Sequence, residues 1–556
     1  MPGGLIQLVG KGAQDQLVTG NPSFTHFRSV YKRHTDFAME HFRLDFRTSS
    51  LELPTQGNRT MRVKVDRNAQ LVHDCYIRVS LPDIYSPVAP ITPATHPEVN
   101  YDATAIGYEF QWIPNLGYNM IESVSVLING SAVATHTGEW MKLYSYTTHD
   151  ANKREIVDRM LGNVKELTDP ANAFDRLNQY PHAISTSTQI ANPSIPSREL
   201  TIPLHFWFCE DIGSALPLVA LQYAEVEFVV TFRNVYQLFT VLDVRDTSST
   251  FGTRIAPDIA SPQFSMDHFL SPPLANGSSS NPTLRTWNFN PYMEANYIFL
   301  SDAETVNLAK SDNAFKIKEV RPVKLDKAVG AGNDVELTMV NLCTRVIWLG
   351  QRSDVSSNNG WDNYTNWNTP RPPLDTTTYA LMTPWYSSGG AAGVNVNDGE
   401  ILVSSNILLD GAERFQEKPR TFFSLLQNYR HHVGKTVTGL PGIYTYSFAL
   451  DHHTEQPSGS LNGSQFNKTI LRLAVQQPPY AQNVTSTQVC VYKDTALSLN
   501  PVVVGNPLLA NRDQVVSIIS KPETAVYEYT YSVRAYVESY NFLRVTRGIA
   551  NVIFTS

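Results

Sequence analysis

The sequence has few charged residues for its length of 556. Lysine, arginine, aspartate and glutamate together make up 17% of the chain, and the formal net charge is −7. A protein that wraps nucleic acid normally carries a basic stripe or tail, and here the densest basic stretch, 26–47, is largely offset by its own acidic residues. We therefore predict no direct contact with nucleic acid and a surface that is partly covered by partners.

Cysteine and long apolar runs are also scarce. The four cysteines, at positions 75, 209, 343 and 490, lie far apart and form no CxxC pair. This spacing argues against zinc and against a disulfide framework, and it favours a reducing compartment. No stretch approaches the ~20 apolar residues of a membrane span, and the N-terminus lacks the basic lead-in of a secretory signal. We expect a soluble, unsecreted protein made in a cytosol.

Sequence motifs for nucleotide binding, metal binding and catalysis are each incomplete in this chain. The segment 433–436 ends like a phosphate-binding loop, but Tyr429 stands where that loop needs a glycine. The histidine doublets at 431–432 and 452–453 would point to opposite faces of a strand, so neither is expected to hold a metal. The segment 459–463 has leucine where a nucleophile elbow needs serine. The sequence thus predicts no catalytic residue, no metal ligand and no cofactor, and hence no enzyme.

Apolar residues mostly recur with a period of two. The run 226–232 alternates in this way, as do 61–65 and 527–537, which is typical of half-buried antiparallel strands. Helices are predicted only over 153–161 and 301–310. With 34 prolines and many short strands, the chain is predicted to be all-β and built from sandwiches or barrels. Long loops are predicted over 83–100, 242–286 and 350–400. We interpret the last, which contains three tryptophans, as an ordered surface excursion.

One pattern is present twice. The block Leu127-Ile128-Asn129-Gly130 matches Leu408-Leu409-Asp410-Gly411, and Trp140 and Leu143 fall near Phe422 and Leu425. Further matches follow in the same order: Ile202, Leu204, Phe206 and Phe208 with Tyr444, Tyr446, Phe448 and Leu450; Leu216, Leu221, Val226 and Phe228 with Leu461, Phe466, Leu471 and Leu473. Ordered matches of this kind indicate a duplicated domain, and so a role in architecture rather than catalysis.

Two asparagines are weak candidates for glycosylation. Asn276 and Asn363 both begin an Asn-x-Ser/Thr triplet within a predicted long loop. Such a triplet carries a glycan only if the chain meets the modifying machinery.

The opening of the chain carries a resemblance to a known family. Residues 5–38 contain Gly-Ala-Gln-Asp at 12–15, Thr-Gly-Asn-Pro at 19–22 and an aromatic-rich stretch at 27–37. They closely resemble the N-terminal arm of the major capsid proteins of nucleocytoplasmic large DNA viruses. Further similarities run down nearly the whole chain to its tail at 541–548.

The resemblance implies a fold and an organisation. The family fold is two consecutive eight-stranded jelly rolls, a double jelly roll, with short helices and long surface loops. We therefore expect an N-terminal arm over residues 1–30, a first jelly roll over 31–310 and a second over 311–556.

The resemblance also implies a function. The chain would form pseudo-hexagonal homotrimeric capsomers that tile an icosahedral shell, after synthesis and assembly in the host cytoplasm. Its partners would be neighbouring capsomers, minor capsid and penton proteins, near an internal viral membrane. Four aromatic residues of the arm are expected to be its contacts: Phe24, Phe27, Tyr31 and Phe37. The alternative is a jelly roll that binds or cleaves carbohydrate, with Trp361, Trp367 and Trp385 stacking on sugars.

Overall fold

The computed structural model describes most of the chain. The described residues are 3–48, 52–86, 109–176, 179–183, 192–242, 254–257, 266–273, 287–366, 399–434, 442–452, 456–476, 487–493, 514–521 and 529–554. Asn276, Trp367 and Trp385 lie outside them, as does Tyr527.

Sixteen strands form two equivalent sets. The first set is β1 (Phe37–Asp45), β2 (Arg59–Lys64), β3 (Leu71–Leu81), β4 (Ile121–Ile128), β5 (Ser131–Thr137), β6 (Arg198–Pro203), β7 (Val226–Phe232) and β8 (Tyr292–Leu300). The second set is β9 (Asn313–Ala328), β10 (Asn333–Glu336), β11 (Leu342–Arg352), β12 (Leu402–Leu409), β13 (Ala412–Glu413), β14 (Ile443–Ser447), β15 (Thr469–Val475) and β16 (Tyr531–Thr546).

The two sets have the same sheet topology. The first roll pairs its strands in the orders β1-β8-β3-β6 and β2-β7-β4-β5. The second roll has the orders β9-β16-β11-β14 and β10-β15-β12-β13, which are the first two orders with eight added to every label. All these pairs are antiparallel. Two facing four-stranded sheets per roll, repeated once, confirm the predicted double jelly roll.

Other elements are short. The additional strands are Phe110–Trp112, Leu216–Pro217, Phe239–Leu242, Arg254–Ile255, Lys418–Pro419, Leu461–Asn462, Thr487–Lys493, Gln514–Lys521 and Ile549–Val552. The α-helices are α1 (Gly3–Val9), α2 (Asp15–Thr19), α3 (Leu116–Met120), α4 (Gly138–Thr148), α5 (Ala151–Met160), α6 (Lys165–Thr168), α7 (Trp207–Glu210), α8 (Asp302–Lys310) and α9 (Gln427–His431). A π-helical turn, Phe422–Leu426, precedes α9, and 3-10 turns occur at Pro170–Asp175, Ile212–Ser214, Val235–Gln237, Met266–Phe269, Val355–Asn358 and Gly463–Gln465. Among the described helices, none is long and apolar enough to cross a membrane.

The repeated Leu-x-x-Gly blocks form equivalent hairpins. Asn129 and Gly130 connect β4 to β5 with φ of 52° and 80°, and Asp410 and Gly411 connect β12 to β13 with φ of 48° and 86°. A two-residue turn with two positive φ angles matches the twist of the flanking strands, and Asn-Gly and Asp-Gly are the pairs that adopt it at least cost. The turn chemistry therefore sets the register of both hairpins.

Strand pairing tests the other repeat matches. Leu216 pairs with Val72 and Leu461 with Cys343 at equivalent places in the two rolls, which confirms that match. The match of Val226 with Leu471 was wrong by two residues.

The hairpins show where that error lies. Val126 and Ile407 are equivalent in the two hairpins, and they pair with Phe228 and Leu471, respectively. Phe228 is therefore the counterpart of Leu471. A slip of two residues keeps every side chain on the same face, so the periodicity alone could not reveal it.

Two other local predictions are corrected. The alternation predicted through Phe206 and Phe208 ends early, because β6 stops at Pro203, which has no N–H for the sheet, and α7 follows. Among the described residues of the predicted alternation over 527–537, the strand begins at Tyr531, after Tyr529 and Thr530. Helix α8 forms where a helix is predicted, over 301–310.

Candidate assembly surfaces

Helix α4 lies between the two rolls. It begins directly after β5, where the Thr137 side chain accepts a hydrogen bond from the Trp140 amide at 3.1 Å. Gly138 starts the helix, and a Cβ atom there would come within 2.1 Å of the Tyr118 carbonyl oxygen. The glycine therefore permits the close approach of α4 to α3. The opposite face of α4 carries polar side chains that contact the second roll.

Glu139 is the centre of one polar cluster between the rolls. Its Oε1 accepts hydrogen bonds from Arg534 Nη2 at 2.7 Å and from Tyr364 Oη at 3.0 Å, and Tyr536 Oη donates to Oε2. Burial by itself would raise the pKa of Glu139, but Arg534, Lys142 and the two tyrosine hydroxyls outweigh it and lower that pKa. The carboxylate therefore stays charged and holds β16 against the first roll.

A second cluster surrounds Asp362, which follows β11 in the chain. Lys142 of α4 forms a salt bridge with Asp362 Oδ1, and the lysine side chain is only 1% exposed. Asn115 Nδ2 donates to Asp362 Oδ2 at 2.7 Å, and Asn119 Nδ2 donates to Oδ1 at 3.1 Å. A buried charge pair is tolerated when its remaining hydrogen-bonding capacity is used in this way.

A third cluster is built on the second roll. Arg345 Nε donates to Glu538 Oε2 at 2.7 Å, and Arg345 Nη1 donates to Thr147 Oγ1 of α4 at 3.2 Å. Nearby, Lys318 Nζ lies 2.7 Å from Glu210 Oε2 of the first roll. Burial opposes the charged forms of Lys318 and Glu538. Their ionic partners prevail, so the pKa of Lys318 is raised and that of Glu538 is lowered.

The segment 353–366 seals this interface. Asn359 Nδ2 donates to the carbonyl oxygens of Tyr236 at 2.7 Å and Phe239 at 2.8 Å. The indole N–H of Trp361 donates to the Gln237 carbonyl at 2.9 Å, and the Arg233 guanidinium lies 5.0 Å from the Trp361 ring centroid. This part of the predicted 350–400 surface excursion is therefore a contact between the rolls, and Trp361 is not free to stack on a sugar.

Apolar packing is continuous across the same boundary. The β9-β16-β11-β14 sheet contributes side chains to the core cluster of the first roll: Ile347, Leu349 and Tyr536 from its outer face, and Leu543 and Val545 from the C-terminal end of β16. A separate cluster fills the interior of the second roll. The two rolls are thus packed as one body rather than joined by a linker.

Buried histidines line the interface. His136 is stacked between the rings of Trp140, at 4.1 Å between centroids, and Phe206, at 4.6 Å. The His432 and His452 rings stack at 5.3 Å, and burial lowers the pKa of both imidazoles. Burial also lowers the pKa of His136, to about 3. In the described part of the chain, no three metal-ligating side chains cluster together.

The N-terminal arm is a second candidate surface. Residues 3–41 are exposed throughout, including all four aromatic residues proposed as contacts. Phe27 is 99% exposed, Tyr31 80%, Phe24 67% and Phe37 51%, and Phe37 is the first residue of β1. Contiguous apolar side chains of this kind mark a site for a partner. Their contacts in an assembly stay a prediction.

Asn363 is placed differently from the expectation. Its side chain is 4% exposed, and its Oδ1 accepts hydrogen bonds from the Thr365 amide at 3.1 Å and from Thr365 Oγ1 at 2.6 Å. A glycan requires an exposed side-chain nitrogen, so this position suits glycosylation poorly. The other candidate, Asn276, lies outside the described residues.

The sequence did not reveal the buried ionic clusters. Their members lie far apart in the chain: Lys142 and Asp362 are separated by 220 residues, and Arg534 and Glu139 by 395. The one local signal was a glutamate and a lysine inside the otherwise apolar and aromatic run of α4.

Comparison with known proteins gives one answer. Residues 25–301 match the family model described as the major capsid protein N-terminus, and 309–500 match that of the large eukaryotic DNA virus major capsid protein. The major capsid protein of Phaeocystis pouchetii virus is 25% identical over 88% of this chain and 96% of its own length. That of Paramecium bursaria Chlorella virus 1 is 24% identical over the full length of both chains.

Solved structures agree on the fold. The Faustovirus major capsid protein is similar with a TM-score of 0.59 and 14% identity, over 98% of this chain and 96% of its own. A chain of the quasi-atomic PBCV-1 virus capsid gives a TM-score of 0.58 and 18% identity, over 96% of this chain and 100% of its own.

Proposed function

Because this chain belongs to the major capsid proteins of large eukaryotic DNA viruses, we propose that it forms homotrimeric, pseudo-hexagonal capsomers that tile an icosahedral shell. It is a structural protein of the virion and not an enzyme. The observation that carries the proposal is the pair of jelly rolls with identical sheet order, held together by buried ionic clusters. Three copies of such a pair present six similar rolls, so one gene product can fill a hexagonal lattice position.

The rigidity of the pair supports this role. A lattice unit has to keep its two rolls in one relative orientation, and interfaces within a chain allow motion unless they are large and hydrophobic. Here the boundary combines a shared apolar cluster with two buried charge pairs that cross it, Lys142–Asp362 and Lys318–Glu210. Buried charges need their partners in place, so one relative orientation of the rolls is strongly preferred.

The oligomeric state is the direct test. The purified chain should elute with a light-scattering mass three times 62.2 kDa. A stable monomer at micromolar concentration would contradict the capsomer.

We propose that the N-terminal arm lies at the base of the capsomer. There it would contact neighbouring capsomers, minor capsid and penton proteins, near an internal viral membrane, after synthesis in the host cytoplasm. Its exposed aromatic residues support such contacts. Deletion of residues 1–25 should leave the trimer intact, because the jelly-roll strands begin at Phe37, but should prevent shell assembly. A variant with serine at Phe24, Phe27 and Tyr31 tests the side chains alone. Normal shells from both variants would exclude this role.

A further inference from the structure

The equivalent helices of the two rolls differ in burial. Helix α4 of the first roll has nine of its eleven residues buried. In the second roll, the π-helical turn and α9 together form a helix over residues 422–431, which we call the second-roll helix. Its inner face is buried against β14, where Asn428 Oδ1 accepts a hydrogen bond from Thr445 Oγ1 at 3.0 Å. Its outer face exposes Leu425 by 49%, Leu426 by 37% and Tyr429 by 87%.

The equivalent sheets also differ in burial, but here the second roll is covered and the first roll is open. Strand β11 has nine consecutive buried residues, because the outer face of its sheet packs on the first roll. Strand β3, its counterpart, alternates between buried and partly exposed residues from Asp74 onward. Asp74, Tyr76 and Arg78 form the partly exposed face, beside Tyr292 and Glu294 of β8. We call these five residues the first-roll sheet face.

Strand register identifies the counterparts. Ile77 pairs with Met293 and Ile202, and Trp348 pairs with Ala535 and Tyr444. When Ile77 is matched with Trp348, a one-residue register shift in each roll falls at the same place, between Cys75 and Val72 and between Arg345 and Cys343. The match is therefore independent of side-chain similarity.

The same match identifies the residues that correspond to a pair in contact within the chain. It makes Asp74 the counterpart of Arg345. On the second-roll helix, Tyr429 lies near the position that Thr147 has in α4, because Trp140 falls near Phe422 in the repeat. Arg345 and Thr147 touch within the chain. Their counterparts each lie on an uncovered surface, Asp74 on the first-roll sheet face and Tyr429 on the second-roll helix.

We propose that the second-roll helix of one copy binds the first-roll sheet face of a second copy, in the way that α4 binds the second roll within one chain. The proposal rests on the homotrimer proposed above and names its interface. Each chain leaves both the second-roll helix and the first-roll sheet face open in its described part, so the contact is head to tail. Such heterologous contacts close into a ring when the rotation allows.

The charges of the two surfaces are complementary. The second-roll helix contains Arg430 and no acidic residue. The first-roll sheet face and its edges carry four acidic residues, Asp74, Glu294, Glu199 and Asp45, against two arginines. Arg78 donates to Glu294 at 2.6 Å and to Glu199 at 3.3 Å, and Arg43 lies 4.2 Å from the Tyr292 ring centroid. In the contact within the chain, the polarity is reversed, because α4 supplies Glu139 and the sheet supplies Arg534. This difference favours pairing α4 with the sheet of the second roll, and the second-roll helix with the sheet of the first roll.

The test places charge in the centre of the proposed contact. The double variant Leu425→Asp/Tyr429→Asp changes only exposed side chains, so its circular dichroism and melting should match the wild type while its light-scattering mass falls to 62.2 kDa. The matched control is Ile156→Asp on α5, an equally exposed apolar residue outside both surfaces, which should remain trimeric.

A charge exchange tests the pairing itself. Arg430→Glu should weaken the trimer at least tenfold in dissociation constant, and adding Asp74→Arg in the same chain should restore it, because each contact then regains opposite charges. A wild-type monomer would overturn the capsomer itself. If the wild type is a trimer, either of two results would overturn this interface and leave the trimer standing. One is a Leu425→Asp/Tyr429→Asp variant that is still trimeric. The other is an Arg430→Glu variant whose weakened trimer is not restored by adding Asp74→Arg.

Discussion

Removing one charge of the Arg345–Glu538 pair should strongly destabilise the chain. The two side chains are 0% and 3% exposed. Glu538→Gln keeps the shape and one acceptor oxygen but removes the negative charge, so the buried guanidinium loses its ionic partner. Breaking a buried pair from one side costs about 3–5 kcal/mol. The free energy of unfolding, from urea titration followed by tryptophan fluorescence, should fall by that amount.

A double-mutant cycle separates this cost from the net value of the pair. Replacing both residues, as Arg345→Met/Glu538→Leu, removes both buried charges and should cost far less than the sum of the two single changes. The matched control is the Arg472–Asp334 pair, at 2.8 Å but 49% and 41% exposed, where Asp334→Asn should cost at most about 1 kcal/mol. The reasoning fails if Glu538→Gln costs less than about 1 kcal/mol or if the cycle is additive.

Three further outcomes follow from the same structure. Stability should fall as the pH drops below about 6.5, because the unfolded chain then binds protons that the folded state refuses. The histidines with lowered pKa values are His136, His182, His205, His432 and His452. The urea midpoint should therefore decrease from pH 7.5 to 5.5. An unchanged midpoint would show that these histidines do not limit stability at low pH. Gly434→Ala should destabilise by at least about 1–3 kcal/mol, because its Cβ would lie 1.9 Å from the Tyr146 carbonyl oxygen; Gly4→Ala, which meets nothing within 4 Å, should leave the melting temperature unchanged. Gly411→Ala should cost about 1 kcal/mol through its φ of 86°, and Gly411→Asn less, since asparagine tolerates that region; equal melting temperatures would contradict the turn argument.

Features set by near neighbours could be predicted from the sequence. Period-two alternation predicted β7 because alternate side chains of a strand share a face. The Asn129-Gly130 and Asp410-Gly411 pairs predicted equivalent turns, because few other residues accept two positive φ angles. The ordered repeats predicted a duplicated domain, and the family resemblance predicted that each copy is a jelly roll. The predicted limits of the arm and rolls, at residues 30 and 310, stay predictions.

Only the tertiary structure decided how the two rolls meet. Nothing near Lys142 in the chain indicates that it pairs with Asp362, and nothing near Trp361 indicates that this loop residue contacts the other roll. Burial and charge pairing depend on which surfaces dock, and docking joins residues hundreds of positions apart. For the same reason, the repeat predicts that the segments which form α4 and the second-roll helix correspond, while only the packed chain shows that both are helices and that one is covered and the other open.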